Sequence, residues 1–267
     1  MSHDKRCAIV GTAPSWDQTP WDDPGLRIFG LNDGYSLGVP RADAWFDLHP
    51  IPKMWFRPKA KTTFREGEIP DGAYVRPEGH LDWLREKAKT IPVWLQEDPP
   101  EGWTGHAKRF PMERAKAFLR ARPDQEAYVA SSPALMLAHA VLDGYREIHI
   151  YGIHLATQGE YIKQRPNFEW LLGKVEAMGV NIILPPECPL LKHTHVYGYE
   201  PEPRRPDADA IRRQKQIQHE MSKVANQLMT WPRWKSKAQP LAQWTRLKAS
   251  LRDAQMQARH AVVTAGV

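Results

Sequence analysis

The chain has 267 residues, 42% apolar and 25% charged, with 11 tryptophans, 24 prolines and two cysteines. That suffices for one large α/β domain with an appendage or for two smaller domains. No run approaches the roughly 20 apolar residues that cross a bilayer, and Met-Ser-His-Asp-Lys-Arg at the start has no apolar stretch behind it to make a signal peptide, so no membrane partner and a cytoplasmic location are expected.

Cys7 and Cys188 then read as reduced thiols, not as a nucleophile or zinc ligands. The formal net charge of +6 is unevenly placed. From residue 204 to the end, 13 basic residues face 4 acidic ones, a net of +9, which leaves −3 over residues 1–203. The basic excess belongs to the tail.

Three short apolar runs open the chain and each stops at small or polar residues. Cys7-Ala-Ile-Val is followed by Gly11-Thr-Ala-Pro-Ser15, Arg27-Ile-Phe-Gly-Leu by Asn32-Asp33, and Ala42-Asp-Ala-Trp-Phe-Asp-Leu by His49-Pro50. Buried parallel strands deliver functional groups to their carboxyl ends in this way. In an open α/β sheet those ends border the ligand crevice, so Gly11, Thr12, Ser15, Asn32, Asp33 and His49 are expected to converge on a nucleotide pocket.

Between His49 and Pro92, Pro52, Pro58, Pro70 and Pro77 interrupt Trp55, Phe56, Phe64 and Trp83, with a short helix over 80–87. A second irregular stretch, 97–112, leads into a basic helix near Glu113. Such excursions are either lids and substrate loops or surface decoration. Further strands are predicted at 92–95, 147–151 and 181–184, and one near Tyr128. A helix with a Ser cap and Pro at its first position runs from Ser132 toward Gly144, and another from Phe168 to Met178 closed by Gly179. The alternation predicts a Rossmann-like, doubly wound, mostly parallel sheet over residues 1–200.

From Pro201 a Pro-Glu-Pro-Arg-Arg-Pro linker introduces a basic helical hairpin over 201–267. Its arms, 209–230 and 241–262, carry apolar residues at helical spacing around a turn at Trp231–Trp234. Two occupants suit the hairpin: a second subunit, giving a homodimer, or DNA held by residues such as Arg212, Arg213, Lys235 and Lys237 beside tryptophans.

The Gly11–Ser15 loop allows close backbone approach, and Pro14 fixes the turn. Ser15 and free N–H groups suit a phosphate, although an ordinary strand-to-helix turn has the same composition. It matches neither the G-x-G-x-x-G spacing nor a Walker loop.

Ile-Val-Gly-Thr-Ala-Pro-Ser15, Gly-Leu-Asn-Asp33, Ser131-Ser-Pro and Ile-Tyr-Gly-Ile-His154, in that order over residues 7–190, resemble family 42 sialyltransferases and related DUF115-type proteins. Gly159-Glu-Tyr-Ile-Lys-Gln-Arg-Pro-Asn167 and Trp45-Phe-Asp-Leu-His49 are similar to uncharacterised bacteriophage proteins. The resemblance implies that Gly11, Pro14, Ser15 and Asn32 contact a nucleotide and that Ser131 and Ser132 contact sugar or phosphate. It further implies that Gly152 lies at the pocket and that Tyr161 hydrogen-bonds the leaving phosphate. The family's strand-end Asp is His154 here, and its downstream general-base His has no counterpart between Tyr161 and His193.

Transfer of a sugar needs a base for the acceptor hydroxyl and donors for the departing phosphate. His49 and His154 suit the first role, with Asp47 on the same strand face as His49. Tyr161, Lys163, Gln164 and Arg165 suit the second. No DxD pair follows an apolar strand, and His193 and His195 read as a solvated rim, so a metal-independent reaction is expected, with no resident cofactor and a nucleotide-sugar as substrate. The reading is a glycosyltransferase-like enzyme, with phage DNA or another phage or host molecule as acceptor. A pyrophosphokinase-type enzyme and a non-catalytic nucleotide- or DNA-binding protein are the alternatives on the same fold.

Overall fold

The computed structural model describes residues 5–58, 68–156 and 158–192, and in the tail 196, 199, 216–217, 220, 223–224, 242–243 and 245–250. The chain divides into two compact units, Met1–Pro58 with Arg65–Leu191, and Lys59–Phe64 with Lys192–Val267.

In the first unit the strands are β1 (Lys5–Val10), β2 (Leu26–Leu31), β3 (Ala44–Asp47), β4 (Met54–Arg57), β5 (Tyr74–Pro77), β6 (Val93–Leu95), β7 (Ala107–Arg109), β8 (Tyr145–Tyr151) and β9 (Asn181–Ile183). The helices are α1 (His80–Lys87), α2 (Met112–Leu119), α3 (Ser132–Leu142) and α4 (Gln158–Ala177). Seven strands form one sheet in the order β7-β6-β3-β2-β1-β8-β9, and every pairing is parallel. This is the Rossmann-like α/β class expected from the sequence.

The chain builds outward from β1 to β7 and then returns to lay β8 against the other side of β1. In open α/β sheets such a reversal marks where ligands bind, here beyond the carboxyl ends of β1 and β8.

Central strands are apolar in both directions because both faces are covered. On one face Cys7, Ile9, Phe29, Phe46, Ile148 and Ile150 pack with α2, α3 and α4 through Leu119, Leu137 and Phe168. On the other, Trp45, Val93 and Leu95 pack with Leu84 and Ala88 from the α1 segment. Ala8, Val10, Leu26 and Ile28 pack with Tyr151, Trp16 and Trp21. Burial pushes the Cys7 thiol far up, so it behaves as a small core apolar group.

Several expectations need correction. Tyr128 begins no strand; its neighbour Ala127 makes only an isolated bridge with Arg120, and the segment leading to α3 is held by Asn167. That side chain, fully buried, accepts from the Ala130 N–H at 3.0 Å and donates to the Tyr128 carbonyl at 2.8 Å. Helix α4 starts ten residues before Phe168 and keeps Pro166 inside it. Gly159 and Pro166 weaken a helix, but complete burial of Asn167, Phe168, Leu171 and Leu172 outweighs them.

Ser131, not Ser132, caps α3, its hydroxyl accepting from the Ala134 N–H at 3.4 Å, so Pro133 takes the second helical position. The first excursion contains the two-stranded parallel sheet β4–β5 as well as α1, and the second supplies edge strand β7.

In the second unit, the described parts of 216–224 and 242–250 are helical, and Ile217 and Val224 are buried. The turn at Trp231–Trp234, most of the basic residues, and His193 and His195 lie outside the described residues, as does the surface expected to meet DNA or a second subunit. Among the described residues no helix is long and apolar enough to cross a membrane.

Candidate active site

At the switch point the loops after β1 and β8 are laced together by backbone. The Gly11 N–H donates to the Tyr151 carbonyl at 2.9 Å and the Ala13 N–H to the Gly152 carbonyl at 2.8 Å. A Cβ on Gly11 would stand 2.4 Å from the Gly152 oxygen, and one on Gly152 would stand 2.4 Å from the Gly11 oxygen. Gly152 also has φ +64, a conformation that strains any residue with a Cβ.

Pro14 starts a 3-10 turn, Pro14–Gln18, that turns Ser15 inward to 1% exposure. The Ser15 hydroxyl accepts from the Gly152 N–H at 3.0 Å and lies 2.9 Å from His154 Nε2. Burial lowers the His154 pKa, opposed by the charge of Glu187. The Ser15 hydroxyl bridges the Gly152 N–H and the His154 imidazole. Ser15 thus latches the loop after β1 to the one after β8. Thr12 and Pro14 are exposed beside it.

Beyond β2, Asn32 adopts φ +52. Its backbone is fixed on both sides: its N–H donates to the Phe46 carbonyl at 2.8 Å, and its carbonyl accepts from Trp45 Nε1 at 2.8 Å. The indole reaches it by lying over Gly30, where a Cβ would come within 2.1 Å of the ring. Asn32 Oδ1 is buried and has no hydrogen-bond partner among the described residues. Buried acceptors are nearly always satisfied, and this one sits at the strand end expected to meet a nucleotide. Asp33 caps a 3-10 turn, Gly34–Leu37, and its carbonyl accepts from the Ser36 hydroxyl at 2.7 Å.

Beyond β3, the side chain of Asp47 has no exposed surface. Its Oδ1 is 2.8 Å from His49 Nδ1, and its Oδ2 is 2.8 Å from His80 Nε2. Arg76, from β5, grips both oxygens, Nε to Oδ2 at 2.9 Å and Nη2 to Oδ1 at 3.2 Å. Burial by itself raises the Asp47 pKa, but hydrogen bonds from His49, His80 and Arg76 and the Arg76 charge hold the carboxyl far below the usual range. Asp47 is an anion at neutral pH.

His49 keeps 19% of its side chain exposed and packs against Tyr74 with ring centroids 4.2 Å apart. On the far side of Asp47, His80 Nδ1 is 3.1 Å from the Tyr35 hydroxyl. Tyr35 stacks on Trp83 at 4.0 Å, and burial together with Asp33 and Asp47 pushes its hydroxyl up to about 12 despite the opposing Arg76 charge.

The remaining candidates lie on α3 and α4. Ser131 and Ser132 are half-buried at the start of α3, and Gln164 is half-buried on α4. Tyr161 lies on α4, and its side chain is outside the described residues. Arg165 ties α4 to the following loop, donating to Glu169 Oε1 at 2.9 Å and to the Pro189 carbonyl at 2.6 Å. Among the described residues no group of three or more His, Cys, Asp or Glu side chains is placed to hold a metal ion.

Tyr35, Arg76, His80 and Asn167 were not legible as functional or positioning residues. Arg76 sits in a four-residue run inside a Pro-broken stretch, and His80 is one helix-initial residue among polar neighbours. The surviving signal was indirect: an Asp at the last buried position of a strand, which needs partners from elsewhere in the chain.

No family model matches the chain, and no curated protein matches it. Among solved structures, the sialyltransferase CstII from Campylobacter jejuni with the substrate analogue cytidine-5'-monophosphate is similar at 13% identity and a TM-score of 0.39, over 69% of this chain and 80% of that one. The same enzyme with CMP-3FNeuAc gives 13% identity and 0.36, over 69% and 82%. Likeness at this level assigns no residue roles.

Proposed function

We propose that this protein is a glycosyltransferase-like enzyme that takes a nucleotide-activated donor at the carboxyl edge of its sheet and transfers the activated group to a hydroxyl. The observation that carries this reading is the Asp47–His49 pair, a buried carboxylate 2.8 Å behind a partly exposed imidazole at that edge. A carboxylate that receives Nδ1–H leaves the Nε2 lone pair free to act as a base and stabilises the imidazolium that forms.

Of the two histidines expected as bases, His49 has the carboxylate, whereas the Nε2 of His154 is already engaged by Ser15. In the reaction, His49 Nε2 takes the acceptor hydroxyl proton as that oxygen bonds to the anomeric carbon. The bond from that carbon to the phosphate oxygen breaks, and the leaving nucleotide keeps the electron pair. The joined loops after β1 and β8, with Thr12 exposed on the first, lie where the nucleotide would bind, and Asn32 Oδ1 suits a donor group on it. We further propose that the acceptor is DNA, because the +9 segment after residue 203 is where a polyanion would bind.

A thermal-shift panel of cytidine, uridine, guanosine and thymidine nucleotides and their sugar conjugates tests the donor. A ligand at 100 times its dissociation constant stabilises by about 2.7 kcal/mol. A shift with one base and release of that nucleotide in the presence of DNA are the expected results. Silence across the panel overturns the nucleotide reading, and release without labelled DNA overturns the acceptor.

A further inference from the structure

The Asp47 cluster joins more residues than a two-membered dyad needs. We infer that Arg76 and His80 are positioning residues for His49, acting through Asp47, and that Tyr35 fixes the proton arrangement of His80. This rests on the reading of His49 as the base.

An ionised carboxylate accepts on both oxygens, and here every donor comes from a different element: His49 follows β3, Arg76 belongs to β5 and His80 starts α1. With Asp47 charged, His80 donates Nε2–H to Oδ2. Its Nδ1 then carries a lone pair, which is what the Tyr35 hydroxyl, 3.1 Å away, donates to. His80 has no exposed side-chain surface, so no solvent competes for either nitrogen. The Tyr35 ring is itself packed on Trp83 and beside Trp45, at 4.0 and 6.1 Å.

Arg76 poses the one ambiguity, since its Nη2 is 2.8 Å from His49 Nδ1, the same nitrogen that faces Asp47. Arg76 already has acceptors in both Asp47 oxygens and in the Val75 carbonyl, at 3.1 Å. The charged Asp47 has more to gain from a donor than Arg76 has from a further acceptor. The proton therefore sits on Nδ1, directed at Asp47, and Arg76 clamps the carboxylate in the plane that receives it. The result is a fixed tautomer with the Nε2 lone pair available to substrate. The order runs Tyr35, His80, Asp47, His49, with Arg76 locking the third member.

The test is imidazole nitrogen NMR on the full chain without ligand, with His49 and His80 assigned by their loss in H49Q and H80Q. Wild type should show His49 protonated on Nδ1 and His80 on Nε2. His80→Phe and Arg76→Gln should turn the His49 signal into a mixture of tautomers. Arg76→Lys keeps the charge while losing the bidentate grip, and His80→Gln keeps a donor for Asp47, so both should retain more of the Nδ1–H form than their partners. Tyr35→Phe should alter His80 alone.

With a donor and acceptor in hand, His80→Phe should lower kcat about 10-fold at unchanged donor KM, and His80→Gln should recover much of it. An unaltered His49 tautomer in the folded His80→Phe and Arg76→Gln variants, together with wild-type kcat in both, overturns the positioning role even if H49Q is inactive. Should H49Q keep full turnover while the tautomers behave as described, the base assignment fails and the hydrogen-bond order stands.

Discussion

Two places on the same sheet edge are built from different materials. At the β1–β8 switch point, Gly152, Ser15 and His154 are joined through backbone, hydroxyl and an imidazole that burial keeps neutral. Beyond β3, a charged carboxylate is enclosed by an arginine and two histidines. The first arrangement fixes shape, and beside it, beyond β2, Asn32 Oδ1 is unmet among the described residues. The second fixes charge and leaves one imidazole edge partly exposed. Shape with an unmet acceptor suits binding, and a held charge behind an imidazole suits proton transfer.

The sharpest way to separate the two is to remove the charge. Asp47→Ala leaves Arg76, 7% exposed, without its anion and His80 without an acceptor, which should cost about 3–5 kcal/mol. Urea denaturation measures it. The nucleotide-induced thermal shift should survive in whatever fraction remains folded, because Gly11 and Gly152 follow other strands. A loss under 1 kcal/mol would mean that the cluster contributes little to the fold.

The opposite cut is Gly152→Ala. The new Cβ meets a backbone oxygen, which cannot swing away as a side chain would, and the residue is held at φ +64. Overpacking costs about 1–3 kcal/mol, and the left-handed conformation adds about 1–2 kcal/mol. Here the nucleotide shift should vanish while the His49 tautomer is retained. Loss of both would merge the two regions into one cooperative site.

Acid separates them by sign as well as by place. The His154 and His139 pKa values are lowered by burial, so the unfolded chain binds protons there more readily. Their contribution is complete above the ordinary histidine value near about 6.5 and is lost as pH falls from there through the folded values. Asp47 is also lowered, and its contribution is complete above about 3.9 and is lost as pH falls further. Stability against pH should therefore show an upper step that His154→Gln and His139→Gln reduce, and a deeper acid limb that Asp47→Asn reduces.

How far these regions were legible follows from the range of the interactions that make them. Gly11, Ser15, Asn32 and Asp47–His49 sit where short apolar runs stop, and a strand end is a local pattern. Even there only position was readable: the sequence places Ser15 at the loop but does not reveal that its hydroxyl meets His154, 139 residues away. Arg76 and His80 reach Asp47 from 29 and 33 residues downstream across a Pro-broken stretch, where no periodicity indicates which residue turns inward. The helix over 158–167 was hidden for a related reason, since Gly159 and Pro166 argue locally against it and the burial that overrides them is tertiary.

The smallest expected effect is the most specific. Asn32→Gly removes the unmet acceptor and keeps a backbone that accepts φ +52 without strain. The Phe46 and Trp45 hydrogen bonds are made by main-chain atoms of residue 32, so they remain. In the free protein the change should stay within about 1 kcal/mol, since the added chain entropy of glycine is offset by release of a buried polar atom that had no partner. In the presence of nucleotide the same substitution should abolish most of the stabilisation, because the bound molecule supplies the donor that Oδ1 lacks. Equal ligand-induced shifts in Asn32→Gly and wild type would remove Asn32 from the binding region and leave its orphaned oxygen a feature of the fold alone.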